Sequence, residues 1–190
     1  MPGSTVAELV RVTWEAVPWA IPLVAASTVA AVVVALVLQK TRGAGAWLVA
    51  ALIVSGALVV ALTLTPNAGI EDSSLVDPRF DRGPWGYLRQ PEYWLHLDSR
   101  TLNVALFVPL GFTLGLLARG AARWAVLAFG LVLPWIVEGL QAVLPFDRDP
   151  QSIDLADNST GFVVGYVAGV LVMGAVAAAR GRASTSAGDA

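Results

Sequence analysis

The length of its apolar runs is what most constrains this chain. About Pro18–Leu38, Trp47–Leu64, Leu102–Ala118, Trp124–Leu144 and Asn158–Ala179 are nearly unbroken stretches of aliphatic, aromatic and small residues. At a rise of about 1.5 Å per residue, about 20 apolar residues match a hydrocarbon core about 30 Å thick. A helix exposed to water would need a polar face, and these blocks have none. They predict an all-α, polytopic transmembrane helix bundle of about five spans. The charged fraction, 14% of 190 residues, is far below the roughly 25% of ordinary globular chains. The first run exceeds the 7–15 residues of a signal-peptide core and its basic residues, Lys40 and Arg42, follow it, so it reads as a retained helix.

Without cysteine, the chain has neither a disulfide framework nor a thiolate metal site, and the single histidine, His96, builds no zinc site on its own. A net charge of −2 gives no reason to expect nucleic acid. The chain divides into an N-terminal extracytoplasmic segment (1–17), two transmembrane helices (18–64), an outer loop (65–101), a three-helix core (102–179) and a cytoplasmic tail (180–190) whose small, polar end reads as unstructured. The short loops carry Lys40, Arg42, Arg119, Arg123, Arg180 and Arg182, all on one side if the helices alternate. Basic density in short loops marks the cytoplasmic side, which predicts the N-terminus outside and the C-terminus inside. In the long outer loop, Trp85, Tyr87, Tyr93 and Trp94 among charges read as an interfacial anchor.

Inside the greasy stretch "LPWIVEGLQAVL" stands a carboxyl group, Glu138, with Gln141 three residues on and so on the same helix face. At roughly 9 Å from the outer end of its span, a charge there costs roughly 2.5–3.5 kcal/mol on insertion scales. A proton, a partner or a wet cavity would offset that cost. Pro134 weakens the backbone ladder one turn earlier. Asn103 opens the preceding span, with Pro109 and Gly111 deeper, and Asp154, Asp157 and Asn158 stand at or just before the start of the last. Capping is one role for such residues. Alternation puts Asn103, Glu138, Gln141, Arg148, Asp154, Asp157 and Asn158 at one membrane level, with Arg148 the evident partner for Glu138 or Asp154. They form either an ion-pair and amide network that holds helices together or a ligand or reaction site. Gly161, Gly165 and Gly169, four apart, let backbones approach closely in lipid.

The text "NVALFVPLGF", then "EGLQ", then Arg148 followed by "DLADNSTGFVVGY" resembles the VanZ-like family of bacterial membrane proteins, over about Asp98 to Leu171. By this resemblance Asn103, Pro109, Gly111, Glu138, Gln141, Arg148, Asp154, Asn158, Gly161 and Gly165 are motif positions. The family often has two or three aspartates between the arginine and the asparagine; here Asp154 stands in such a place and Asp157 directly precedes Asn158. The resemblance implies the bacterial plasma membrane and a cell-envelope role, the founding member being associated with resistance to the glycopeptide teicoplanin.

Three functions compete. In the first, an outward-facing polar pocket binds a lipid-linked or amphiphilic molecule, such as a cell-wall precursor or lipoglycopeptide, without catalysis or cofactor. In the second, a membrane enzyme acts on a lipid headgroup, with Glu138 as general base and Asp154 and Asp157 holding a divalent cation. No serine–histidine or cysteine–histidine pair supports it. In the third, a small-molecule transporter uses Glu138 as a proton-linked group, although no inverted repeat is evident. Membrane lipids are partners in every case, and the oligomeric state is open.

Overall fold

The structure is a computed structural model that describes residues 11, 15, 17–66, 99–144 and 152–186. Among these the chain is all-helical: α1 (Ala20–Arg42), α2 (Gly45–Thr63), α3 (Ser99–Leu117), α4 (Ala122–Val143) and α5 (Ser152–Ser186). Each is long and apolar enough to cross a bilayer, and the chain is a multi-pass membrane protein. The interfacial aromatics Trp85, Tyr87, Tyr93 and Trp94, and also His96 and Arg148, lie outside the described residues.

Helix boundaries differ from the apolar runs in ways that matter. α3 begins at Ser99 rather than Leu102, so Arg100 belongs to its first turn and not to a loop. α5 starts at Ser152, which puts Asp157 and Asn158 in its second turn, past any capping position. It continues to Ser186, so the polar tail is helical well beyond Ala179. Its 35 residues extend about 52 Å, longer than a hydrocarbon core of about 30 Å.

Two tight turns set the connectivity. Gly43 (φ 52°) ends α1 and Gly120 (φ 54°) joins α3 to α4. Both occupy the left-handed region, where a Cβ is disfavoured and glycine commonly terminates helices. Lys40 and Arg42 occupy the last turn of α1, where cations complement the helix dipole.

Small residues hold the bundle together, as they must where lipid removes the hydrophobic drive between helices. Ala31 and Ala35 of α1 cluster with Ala46 and Ala50 of α2. α3 and α5 are packed more intimately than any other pair. A Cβ on Gly161, Gly165 or Gly169 would collide with the backbone carbonyl of Val104, Val108 or Phe112 respectively. Gly111 and Gly115 return the contact, facing the carbonyls of Phe162 and Tyr166. Residue numbers rise together on both helices, so α3 and α5 run parallel. The hydrogens that a Cβ would replace point at carbonyl oxygens, the geometry of Cα–H···O contacts worth about 0.5–1 kcal/mol each.

α4 packs antiparallel on α5. The ring of Phe162 occupies the space that a side chain on Gly130 would fill, and it stacks on Tyr166 with centroids 6.1 Å apart. The Tyr166 hydroxyl donates to the Arg123 carbonyl at 2.7 Å, fixing the other end of α4. The outer surface carries Val29, Val33, Val37, Trp124, Trp135 and Leu171, all exposed. A water-soluble protein would not tolerate so extensive an apolar exterior; here it is the lipid-facing surface.

Candidate functional site

Because α3 and α5 run parallel while α4 opposes them, the first turns of α3 and α5 meet the last turns of α4. α2 ends there too: the Gln141 side chain donates from Nε2 to the Thr63 carbonyl at 2.8 Å. The last carbonyls of a helix have no intrahelical donor. At the end of α2 that of Val60 receives the Leu64 N–H, that of Ala61 the Thr65 hydroxyl at 2.6 Å, and that of Thr63 the Gln141 amide. Gln141 thus caps a neighbouring helix.

The centre of this polar end is an ion pair. Arg100 donates from Nε to Asp157 Oδ2 at 3.0 Å and from Nη2 to Oδ1 at 3.1 Å, a fork-on-fork arrangement. The Asp157 side chain is fully buried and that of Arg100 is 10% exposed. This pair continues the glycine ladder: 100 and 157 stand one turn before 104 and 161, which stand one turn before 108 and 165. The close approach that the glycines permit therefore brings guanidinium and carboxylate together. Three residues further along α3 and three residues back on α5, Asn103 Nδ2 donates to Asp154 Oδ1 at 2.9 Å. Both cross-links run from donors on α3 to carboxylates on α5. Asp154 also lies in the first turn of α5, where a negative charge is favoured.

Glu138 is buried, 7% exposed, on the inward face of α4 with Gly130, Pro134, Val137 and Gln141. The contact of Gly130 with Phe162 sets the α4–α5 register. Stepping one turn at a time in opposite directions brings Pro134 to the level of Asn158 and Glu138 to the level of Asp154. Asn158 is 2% exposed. Its Oδ1 is buried and has no hydrogen-bond partner among the described residues, and the same holds of one further side-chain atom at this end, Arg100 Nη1. A buried acceptor in that state costs about 1–3 kcal/mol relative to a paired one.

Asn103, Glu138, Gln141, Asp154, Asp157 and Asn158 thus all occur at one end of the bundle, while Arg148 lies outside the described residues. Pro109 and Gly111 lie deeper on α3, the former with its carbonyl accepting the Thr113 hydroxyl at 2.8 Å. Sequence reasoning missed Arg100, assigning it to the charged loop, and missed the Thr63 carbonyl and the Thr65 hydroxyl. A signal for Arg100 existed: it is three residues before Asn103 and so shares its helix face. Among the described residues no three carboxylate or imidazole side chains converge as a metal site would require.

The VanZ/LLP1 family model matches residues 29–173. The match begins inside α1, so it takes in the first helical hairpin as well as the three helices that bear the polar end. No curated protein and no solved structure matches the chain. With most of its length covered by that one match, from the alanine-packed hairpin through the glycine ladder, the chain belongs to the VanZ/LLP1 family.

Proposed function

We propose that this protein resides in the bacterial plasma membrane with its N-terminus outside and its C-terminus cytoplasmic. In this reading its polar end faces outward and binds the head of a lipid-linked or amphiphilic molecule. By occupying or sequestering such molecules it would lower the access of lipophilic glycopeptides of the teicoplanin type to the outer leaflet. Glu138 and Asn158 line the binding position, while Arg100, Asn103 and Gln141 brace it. The observation that carries the reading is the buried Asn158 acceptor, unpartnered among the described residues one turn inside the level of Asp154 and Glu138. A purely structural network would be expected to satisfy all its buried members.

Native mass spectrometry of the purified protein, profiling co-purified lipids and added teicoplanin, tests it against Glu138→Gln. That substitution preserves size, so folded yield should hold while bound amphiphile falls. Loss of the folded protein in Glu138→Gln would instead assign the carboxyl group to holding helices together. The interhelical bonds from Arg100, Asn103 and Gln141 favour that second reading.

Orientation has its own test, made clean by the absence of native cysteine. A cysteine at Asp147 should react with a membrane-impermeant thiol reagent in intact cells, and one at Gly120 should react only after lysis. The reverse pattern would turn the polar end toward the cytoplasm and remove the outer-leaflet role.

A further inference from the structure

The free valence at the polar end specifies more than a generic amphiphile. Asn158 lies one turn before Phe162 on the same face of α5. The Phe162 ring rests on Gly130 of α4 and its carbonyl on Gly111 of α3. Asn158 therefore faces the seam between α3 and α4, which pack only weakly against each other directly. Asp154 continues that face one turn nearer the helix end, level with Glu138. Of the donors described at this end, Arg100 Nε and Nη2 are directed at Asp157, Asn103 at Asp154 and Gln141 at the Thr63 carbonyl, while Arg100 Nη1 is buried and makes no hydrogen bond to Asn158 or to any other described group. What Asn158 Oδ1 requires is a donor, and the adjacent carboxyl groups favour one with positive charge.

We infer that the amphiphile bound at this end carries an N–H-bearing ammonium headgroup, received by Asn158 Oδ1 beside Asp154 and Glu138 through the α3–α4 seam. This rests on the proposed amphiphile-binding reading and adds the chemical class of the headgroup. A primary ammonium places N–H donors on a compact cation. A quaternary ammonium carries the same charge but donates nothing, so charge and hydrogen bonding can be separated.

The test titrates lipid-stripped, full-length protein in detergent with dioleoyl phosphatidylethanolamine, its N,N-dimethyl derivative and dioleoyl phosphatidylcholine, reading retention by native mass spectrometry. One N–H satisfies one Oδ1, so the dimethyl lipid should bind within about threefold of phosphatidylethanolamine, and phosphatidylcholine about tenfold more weakly than either. Asn158→Leu, which keeps the volume and removes the buried acceptor, should flatten the series to within about twofold. Equal retention of all three lipids, lost in Asn158→Leu, would keep the amphiphile reading and overturn the ammonium class. A steady decline with each methyl group would overturn it as well, because size would then govern binding. Equal retention unaffected by Asn158→Leu would overturn both. Soluble phosphoethanolamine supplies the remaining arm: competition by it at the concentration of the lipid would keep the ammonium preference and sink the requirement for acyl chains.

Discussion

Arg100→Ala should lower stability in detergent by about 3–5 kcal/mol, the usual result of removing one member of a buried ion pair. The magnitude comes from Asp157, whose carboxylate is fully buried and would lose both fork contacts. Adding Asp157→Asn should return part of the loss, since a neutral amide is far cheaper to bury than an unmatched charge. Thermal unfolding of the parent, both single variants and the double variant forms a cycle that isolates the pair term. Arg119→Ala, at the opposite end in the turn after α3, should be nearly silent, and this contrast separates a buried pair from a general need for arginine. Additive losses around the cycle would mean that the fork contacts contribute little and that the glycine ladder alone holds the ends of α3 and α5.

The membrane architecture was legible because hydrophobic length is a local property, counted residue by residue. Each of the five apolar runs lies largely within one of the five helices. Polar residues that extend a helix at a membrane surface leave no such trace. "DSR" before α3 and "SIDLADN" at the start of α5 look like loop and cap because the groups that meet Arg100, Asp154 and Asp157 stand more than fifty positions away. Arg100 was missed for that reason, since a buried arginine and a loop arginine are the same letter until the facing helix is known. The glycine repeat on α5 signalled close approach without naming the neighbour. Gly111, Gly115 and the backbone of Val104, Val108 and Phe112 supply it, and their spacing matches only when both helices are laid side by side. Gathering of the polar residues at one end was legible from alternation alone. Which donor meets which acceptor was not, because interhelical register is a property of packing.

Register also explains why the polar end and the glycine ladder are mechanically one unit. Arg100 and Asp157 continue the sequence of contacts that the glycines begin, so a change that pushes α3 and α5 apart in the membrane should loosen the ion pair at its edge. Gly165→Leu is the sharpest such change. A Cβ at this position would overlap the Val108 carbonyl oxygen and sit 2.8 Å from the Phe112 nitrogen. Both are backbone atoms of a helix, so no rotamer change relieves the contact. The helices must separate, forfeiting the Cα–H···O contacts along the ladder. A loss of about 3 kcal/mol, the upper end for overpacking a well-filled site, is expected. Gly174→Leu on the same helix is the control: nothing lies within 4 Å of its Cβ position, so it should fold and purify like the parent. Folded yield and thermal unfolding in detergent compare the two. If Gly165→Leu is as well tolerated as Gly174→Leu, the α3–α5 contact cannot be as close as described. The register that joins Arg100 to Asp157 would then lose its support. If Gly165→Leu folds only weakly and Gly165→Ala falls between it and the parent, backbone separation is the variable that sets stability, and the ion pair depends on it.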